Sequence, residues 1–230
     1  MKNFVTGFAR QCAVALLALI ALTVVVGGLY PVAVWGISRV DATAAEGSFV
    51  TDVRGCTTST LIGVDQRVPA GHPDPFLHNR VAGGVDDPMA PGDPSSSGAS
   101  NLGPNSPELV KIIAARRAMI AQREHVAPSQ VPADAVTGSG SSLDPDISSA
   151  YAALQIPRIA RVTGLPVERV REIVAAHTEG RQLGFLGEER VNVQQVNRDL
   201  AAAAPKAFDV AAPKAFDVAA PKAFHDPGCR

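Results

Sequence analysis

The residues best suited to holding a phosphate form one glycine- and serine-rich run, Gly138-Ser139-Gly140-Ser141-Ser142. Loops that cradle nucleotide phosphates in the P-loop pattern end on a lysine and a hydroxyl residue, G-x-x-x-x-G-K-[ST]. The run has the flexible glycines of such a loop but lacks the lysine. From spacing alone we therefore interpret it as a solvated loop rather than a nucleotide cradle.

The histidines and carboxylates form no recognisable catalytic or metal-binding pattern. His72 and His78 flank the stretch HPDPFLH, but their spacing matches no zinc template and no cysteine pair accompanies them. Asp144 and Asp146 stand on either side of a proline, which is more typical of turns and helix caps than of a paired acid and base. No G-x-S-x-G nucleophile elbow is present. We predict a non-catalytic protein with no metal site and no cofactor of its own.

The charge balance and the cysteines exclude further classes of protein. The formal net charge is -1, with acidic and basic residues interspersed, so there is no basic footprint for nucleic acid and no polybasic run for lipid headgroups. Cys12 lies in an apolar stretch, which leaves Cys56 and Cys229 for one possible disulfide. We expect no nucleic-acid partner and no metal site built from cysteine.

An uncharged apolar stretch, residues 11–38, decides on which side of a membrane all other residues lie. About 20 apolar residues in a helix cross the hydrocarbon core of a bilayer, so this stretch can span once. Lys2 and Arg10 precede it, whereas acidic residues closely follow Arg39. The positive-inside rule therefore predicts a single-pass protein of the plasma membrane, with residues 1–10 in the cytoplasm and the main domain outside.

A cleaved signal peptide is the alternative, because Ala42-Thr43-Ala44 has the small-x-small form of a cleavage site. The stretch is longer than the roughly 7–15 residues of a signal peptide's apolar region, and Tyr30 and Trp35 suit an interfacial aromatic belt, so we favour a retained anchor. Gly27-Gly28 and Pro31 predict a bend or an end of the regular helix, which needs a neighbour to satisfy the freed backbone groups. We expect a membrane partner there, with Tyr30 and Pro31 at the interface.

The rest of the chain predicts one small α+β domain over residues 39–200. β-branched runs bounded by glycine predict two short strands, and apolar residues at helical spacing predict the helices. Ser106 is the expected N-cap of the first helix of this domain, and Pro157 is expected to kink or restart the second. The expected strands are 49–55 and 59–64; the expected helices are 106–125, 147–163, 166–180 and 192–200, with a glycine-pinned turn and a short strand before the last.

Residues 65–107 differ in character, since they hold eight of the 18 prolines. Structureless segments of this length are uncommon inside compact domains, so we interpret this one as a partner interface. A proline-rich chain has little freedom left to lose on docking. Phe76 and Leu77 are the expected apolar anchors, and Ser97 to Asn101 the expected polar contacts.

The C-terminal residues 201–230 are built on an octapeptide repeat. Ala-Ala-Pro-Lys-Ala-Phe-Asp-Val occupies 203–210 and 211–218, and a third copy diverges at His225. A proline in every copy and so short a period match no solenoid. We predict a flexible, dispensable tail.

Five motifs occur in the order found in the KdpC family, the small subunits of the bacterial Kdp potassium-transporting P-type ATPase, and the chain resembles that family over about residues 10–200. The motifs are Gly28-Leu29-Tyr30-Pro31, Ser97 to Pro104, Val136 to Ser148, Gln155 to Ala160, and Leu183 to Glu188 followed by Val191 to Val193.

This resemblance implies an accessory subunit that works with the channel-like KdpA, the ATP-hydrolysing KdpB and the small KdpF, and that meets ATP and potassium only through the complex. The family's proposed role as a catalytic chaperone implies a nucleotide contact here at Thr137, Gly138, Ser139, Gly140, Ser141 and Gln155. The predicted topology places those residues opposite the cytosolic ATP, so we expect the effect on ATP use to be indirect. The alternative is a membrane-anchored extracytoplasmic binding protein unrelated to potassium transport.

Overall fold

The structure is a computed structural model that describes residues 2–51, 57–63, 65–69 and 71–209. The chain divides into two units, one ending at Ser48 and one beginning at Phe49. The predicted pair Cys56 and Cys229 and the later copies of the octapeptide lie outside the described residues.

The first unit is one long helical run. It consists of α1 (Lys2–Val24), a π-helical turn (Val25–Leu29), α2 (Tyr30–Ser38), a 3-10 turn (Arg39–Asp41) and α3 (Ala42–Ala45). The run from Phe4 to Ala45 is long and apolar enough to cross a membrane, a test that a signal sequence near the N-terminus also passes. A retained anchor therefore stays a prediction.

The predicted break near the glycines takes the form of the π-helical turn. The Tyr30 backbone N–H donates to the carbonyl of Val25, five residues back, instead of the usual four. Pro31 follows at once and has no N–H to donate. The helix therefore neither ends at Gly27-Gly28 nor stops at the proline.

The second unit combines short antiparallel strands with helices, so the predicted α+β class is confirmed. One sheet pairs β1 (Phe49–Thr51) with β2 (Thr57–Ser59), and the other has the order β3 (Asp146–Ile147), β5 (Arg190–Asn192), β4 (Thr178–Glu179). The helices are α4 (Pro107–Glu124), α5 (Ala133–Val136), α6 (Ser149–Thr163), α7 (Val167–Ala176), α8 (Val193–Ala203) and α9 (Pro205–Phe208).

Local capping chemistry starts three of these helices where the sequence predicts them. The side chains of Ser106, Ser148 and Asn192 each accept a hydrogen bond from a backbone N–H in the first turn of the helix that follows. In contrast, α6 is one helix from Ser149 to Thr163, so Pro157 does not restart it; a kink at this proline stays a prediction. Its missing hydrogen bond leaves the Ala153 carbonyl unpaired, and both residues lie on the exposed face of the helix, where water can bind that carbonyl.

Part of the proline-rich segment lies in the core, and the prediction that Phe76 and Leu77 anchor a partner is wrong for this conformation, because both are buried. They are 3% and 0% exposed. The Asn197 side chain accepts a hydrogen bond from Leu77 N at 2.8 Å and donates one to Leu77 O at 2.8 Å. Gln155 does the same for the next residue, accepting from His78 N at 2.9 Å and donating to His78 O at 3.3 Å. Two side-chain amides thus bond this extended segment as a neighbouring strand would.

Residues 203–209 of the first octapeptide also belong to the domain, so its helices run past the predicted boundary at residue 200. Helix α8 continues to Ala203, and α9 occupies Pro205–Phe208. Phe208 is fully buried and lies against Phe76. Burial of this one aromatic side chain joins the described part of the copy to the core, although the repeat has no apolar face of its own.

Candidate functional site

A buried histidine bridges two carboxylates in the proline-rich segment. His78 Nδ1 lies 3.0 Å from both carboxylate oxygens of Asp65, and His78 Nε2 lies 2.7 Å from Asp74 Oδ2. Burial lowers the pKa of His78 and the charge of Arg123 lowers it further, but the two carboxylates outweigh both effects and raise it above 6.5. Both ring nitrogens face carboxylate oxygens, which accept hydrogen bonds, so the arrangement suits an imidazolium that donates from both.

Two arginines on α4 and α6 continue this pairing. Arg158 donates through Nε to both oxygens of Glu124, at 3.1 and 3.0 Å, and through Nη1 to the Asp74 carbonyl at 2.7 Å. Arg123 donates to Glu124 at 2.6 Å and to the Tyr151 hydroxyl at 3.0 Å. Burial raises the pKa of Tyr151, so its hydroxyl accepts this bond as a neutral group.

We call these side chains the buried charge network, and its charges balance only when His78 carries its proton. Burial raises the pKa of Asp74, but His78 and Arg158 outweigh it and hold that pKa well below the usual 3.8. Among the described residues, no cluster of three or more His, Cys, Asp or Glu side chains could hold a metal ion. The network fastens the proline-rich segment to two helices; its carboxylates are Asp65, Asp74 and Glu124, and its cations are His78, Arg123 and Arg158.

Two serine hydroxyl groups of the glycine- and serine-rich loop, residues 137–145, form hydrogen bonds within the loop. Ser139 Oγ accepts from Asp144 N at 3.3 Å, and Ser141 Oγ donates to the Asp144 carboxylate at 3.1 Å while accepting from Leu143 N at 3.0 Å. Ser139 N donates to the Val81 carbonyl at 3.2 Å. These bonds fold the loop onto itself and tie it to the proline-rich segment.

Neighbouring backbone and one arginine hold the same loop from outside. Arg80 donates to the Gly138 carbonyl at 2.9 Å and lies 3.0 Å from the Asp144 carboxylate. A Cβ on Gly92 would stand 1.9 Å from the Ser142 carbonyl oxygen, and a Cβ on Gly63 would stand 2.0 Å from the Asp144 carbonyl oxygen. Only glycine permits two backbones to approach so closely. The loop is therefore held by three other parts of the chain, at Gly63, Arg80 and Gly92.

The residues expected to contact a nucleotide do not form one open site. Thr137 and Gly140 are exposed, Ser139 is buried, and Gly138 and Ser141 lie between these extremes. The Gln155 side chain is 0% exposed, and its Oε1 also accepts from Arg158 at 3.0 Å. A contact at the loop stays a prediction, and Gln155 cannot take part in it in this conformation.

The residues expected at partner interfaces are likewise divided. Tyr30 and Pro31 are exposed on the helical run, and Ser97 and Asn101 are exposed on the domain, so their roles stay predictions. Ser97 also donates to the Ser141 carbonyl at 3.0 Å, which links it to the glycine- and serine-rich loop.

Sequence reasoning missed an exposed apolar turn, residues 181–188, which we call the apolar hairpin. The glycine-pinned turn was predicted there, and the structure has it, with Gly184 and Gly187 both at positive φ. Leu183 and Phe185 at its tip are 83% and 68% exposed. The available signal was three large apolar residues beside or between the two turn glycines, where polar residues are usual.

Comparison with known proteins identifies one family. Residues 12–202 match the family model described as KdpC: K+-transporting ATPase, c chain. The potassium-transporting ATPase KdpC subunit of Kineococcus radiotolerans is 41% identical over 208 residues, which covers 89% of this chain and all of the relative. The corresponding subunit of Geobacter sulfurreducens is 42% identical over 193 residues, with coverage of 83% and 97%. That of Streptomyces avermitilis is 40% identical over 212 residues, with coverage of 86% and 96%.

Proposed function

The chain belongs to the KdpC family of potassium-transporting ATPase C chains, and from this premise we propose that it is a non-catalytic subunit that stabilises the assembled pump and supports its use of ATP indirectly. The observation that carries the proposal is the family match over residues 12–202, which includes both the apolar helix and the domain as far as α8. The similarity to the Kineococcus radiotolerans subunit likewise extends over all of that relative.

The buried charge network supports a structural role for the chain. Its acids and bases are already paired with one another, and most are closed to solvent. A general acid or base must reach a proton on a substrate, which paired side chains in a core cannot do. In the proposal, ATP and potassium are handled by the partner subunits: KdpA as the channel-like subunit and KdpB as the ATP-hydrolysing one, with KdpF as a further small partner.

Features at the two ends of the helical run support the proposed topology. Residues 11–38 contain no charge and give about 42 Å of helix, close to the 40–45 Å of a bilayer with its headgroup regions. Arg39 follows, with its guanidinium 5.6 Å from the centroid of the Trp35 ring and 2.8 Å from the Glu46 carboxylate. A tryptophan, a cation and an anion together suit a membrane–water interface. We place Arg10 at the cytoplasmic interface and Arg39 at the outer one.

The test of the proposal is co-purification from cells that express the intact transporter. An N-terminally tagged chain, extracted in mild detergent, is expected to bring down the channel-like and ATP-hydrolysing subunits, and its deletion should abolish growth at low potassium. A chain that purifies alone, with normal growth after deletion, would instead indicate an unrelated anchored binding protein.

The orientation is tested separately. A C-terminal reporter that is active only in the cytoplasm should stay silent, and an impermeant thiol reagent should label Cys56 in intact cells when that thiol is free. An active cytoplasmic reporter would overturn the orientation and make direct contact with cytosolic nucleotide feasible.

A further inference from the structure

The apolar hairpin exposes three large apolar side chains at one place. Leu183, Phe185 and Leu186 are 83%, 68% and 48% exposed, although the rest of the domain buries most of its large apolar residues. Exposed apolar side chains are ordinary when single, but a contiguous group on a protruding turn marks an interaction site.

Hydrogen bonds hold the hairpin in one shape. Gln182 N donates to Leu186 O at 2.8 Å, and Leu186 N donates to Gln182 O at 2.9 Å, so the two residues pair as in a sheet. Gly184 N and Phe185 N also donate to carbonyls of the turn, at 3.1 and 3.2 Å. A rigid turn loses little freedom when it docks, which favours binding.

The backbone of Leu183 has an energetically unfavourable conformation. Its φ is +53°, the left-handed region, which glycine or asparagine adopts far more readily than leucine. The side chain is not retained for the core, because it is the most exposed of the three. Strained residues of this kind cluster at binding sites, where the surroundings hold them in place.

The charges beside the hairpin favour a protein partner over a lipid surface. Segments that bind anionic headgroups are rich in lysine and arginine. Here Arg181 is the one basic residue of the hairpin, and Glu188 and Glu189 follow the apolar tip directly. Arg190, the next basic residue, is paired with Glu179 and Asp146. The hairpin and its C-terminal flank therefore carry more acidic than free basic charge. Inserting the tip among lipids would bring the two glutamates against anionic headgroups, whereas a protein surface can meet them with basic side chains.

We propose that the apolar hairpin docks into an apolar socket with a basic rim on another subunit of the transporter. The inference rests on the proposed function, because it needs a partner protein in the same membrane. Three side chains are a small contact, but a few central apolar residues commonly carry most of an interface's binding energy. The N-terminal helix further restricts both proteins to one membrane, which raises their effective concentration.

Site-specific photo-cross-linking in the assembled transporter tests this directly. We would place a benzophenone amino acid at Phe185 of the full chain, and at Val110 as the control, since Val110 is 62% exposed but lies on helix α4. The expected result is a cross-link from position 185 to an identified transporter subunit, stronger than that from position 110 by at least about tenfold. A product with lipid or with a second copy of this chain, or none in an intact complex, would overturn the proposal.

Polar substitutions give a second, independent measurement. Leu183→Asn keeps a residue that tolerates positive φ, and Phe185→Ser removes the exposed ring; Val110→Ser is the matched control. Phe185→Ser should keep the wild-type melting temperature of the domain, and Leu183→Asn should keep or raise it, because asparagine tolerates the strained backbone better than leucine. Both hairpin variants should weaken recovery of the partner subunits by at least about tenfold, whereas the control should not. Unchanged recovery with either hairpin variant would count against docking. A hairpin variant with a lowered melting temperature would assign the tip a structural role, and the proposal would then fail.

The wild-type chain separates failure of this inference from failure of the proposed function. If the wild type recovers its partner subunits and the hairpin variants do so equally well, only the docking inference fails. If the wild type recovers no transporter subunit, the proposed function fails as well.

Discussion

The Phe208 ring meets the Phe76 ring edge-on, with centroids 5.0 Å apart and planes at 88°. Edge-to-face pairs of this kind are favoured by the charge distribution of aromatic rings. The contact joins the first copy of the C-terminal repeat to the proline-rich segment, and both residues are buried in the same core cluster. The end of the described chain thus completes a core that begins more than a hundred residues earlier.

We expect truncation of the chain to separate the first repeat from the later ones. A chain ending at Ala202 loses Phe208 and should lose about 3–5 kcal/mol of unfolding free energy, the usual cost of removing a buried aromatic side chain. A chain ending at Asp209 keeps that side chain and should match the full-length protein within about 0.5 kcal/mol. Denaturant unfolding of the detergent-solubilised chains measures both. Equal stability of the two truncations would contradict the prediction.

The repeat also predicts an unusual rescue. The hexapeptide Ala-Ala-Pro-Lys-Ala-Phe at 203–208 recurs at 211–216 and 219–224, so Phe216 and Phe224 stand in the same local sequence as Phe208. Looping out eight residues costs little additional closure entropy, since each doubling of loop length costs about 0.6 kcal/mol. We therefore expect Phe208→Ala to be less destabilising in the full chain than in the chain ending at Asp209.

The control for this rescue is the triple variant Phe208→Ala, Phe216→Ala, Phe224→Ala. It should be as unstable as Phe208→Ala in the chain ending at Asp209. If the single and triple variants of the full chain have equal unfolding free energies, the later copies do not enter the core.

The buried charge network predicts a loss of stability at alkaline pH. His78 has a pKa above its unfolded value of 6.5, so its stabilising contribution is fully present below about pH 6.5 and is lost as the pH rises through the folded-state pKa. The variant His78→Gln leaves Asp65 and Asp74 without their shared cation and should cost about 3–5 kcal/mol at pH 6. Its disadvantage against the wild type should shrink as the pH is raised to 9.

Unfolding free energies measured at pH 6, 7, 8 and 9 check this, with His125→Asn as the control. His125 is exposed at the end of α4 with φ at +57°, a conformation that asparagine tolerates. The control should follow the wild-type pH profile. A constant difference between wild type and His78→Gln at all four pH values would show that the imidazolium is not the stabilising species.

The close backbone contacts of the glycine- and serine-rich loop predict a strong contrast between two alanine substitutions. Gly92→Ala would bring a Cβ within 1.9 Å of the Ser142 carbonyl oxygen, and displacing that backbone should cost about 1–3 kcal/mol. Gly140→Ala lies in the loop itself, where a Cβ would meet no atom within 4 Å, and should change stability by less than about 0.5 kcal/mol. Thermal melting of both variants against the wild type gives the comparison, and equal shifts would show that the loop is not tightly held.

Local chemistry made part of this fold predictable. Helix starts at Ser106, Ser148 and Asn192 follow from cap residues and their neighbours, which the sequence displays directly. The place of Leu77 does not follow in this way, because its hydrogen-bond partner Asn197 is 120 residues away. From the sequence, Asn197 is only an asparagine on a predicted helix. Nothing there indicates that its side chain forms the hydrogen bonds to Leu77 that a neighbouring strand would otherwise form.

Composition also misled at two places for a common physical reason. Proline-rich segments and short repeats lack an apolar face, so they are predicted to stay outside a core. Phe76 and Phe208 show that such segments can still place an aromatic side chain in the core. The apolar hairpin was missed in the opposite sense, since its apolar residues were not expected to face solvent.

The hydrogen bonds between Asn197 and Leu77 can form only late in protein synthesis, because the two residues are 120 positions apart in the chain. The proline-rich segment leaves the ribosome long before α8 and Phe208, and at about 5–20 residues per second the interval is roughly 10 s. Contacts so distant along the chain also form slowly once both partners exist. The N-terminal apolar helix is complete before any of them, so it is available to the membrane while the domain is still open. A nascent chain that stalls before residue 197 would therefore have a complete apolar helix but an unfolded domain, with its core residues exposed to proteases and to aggregation.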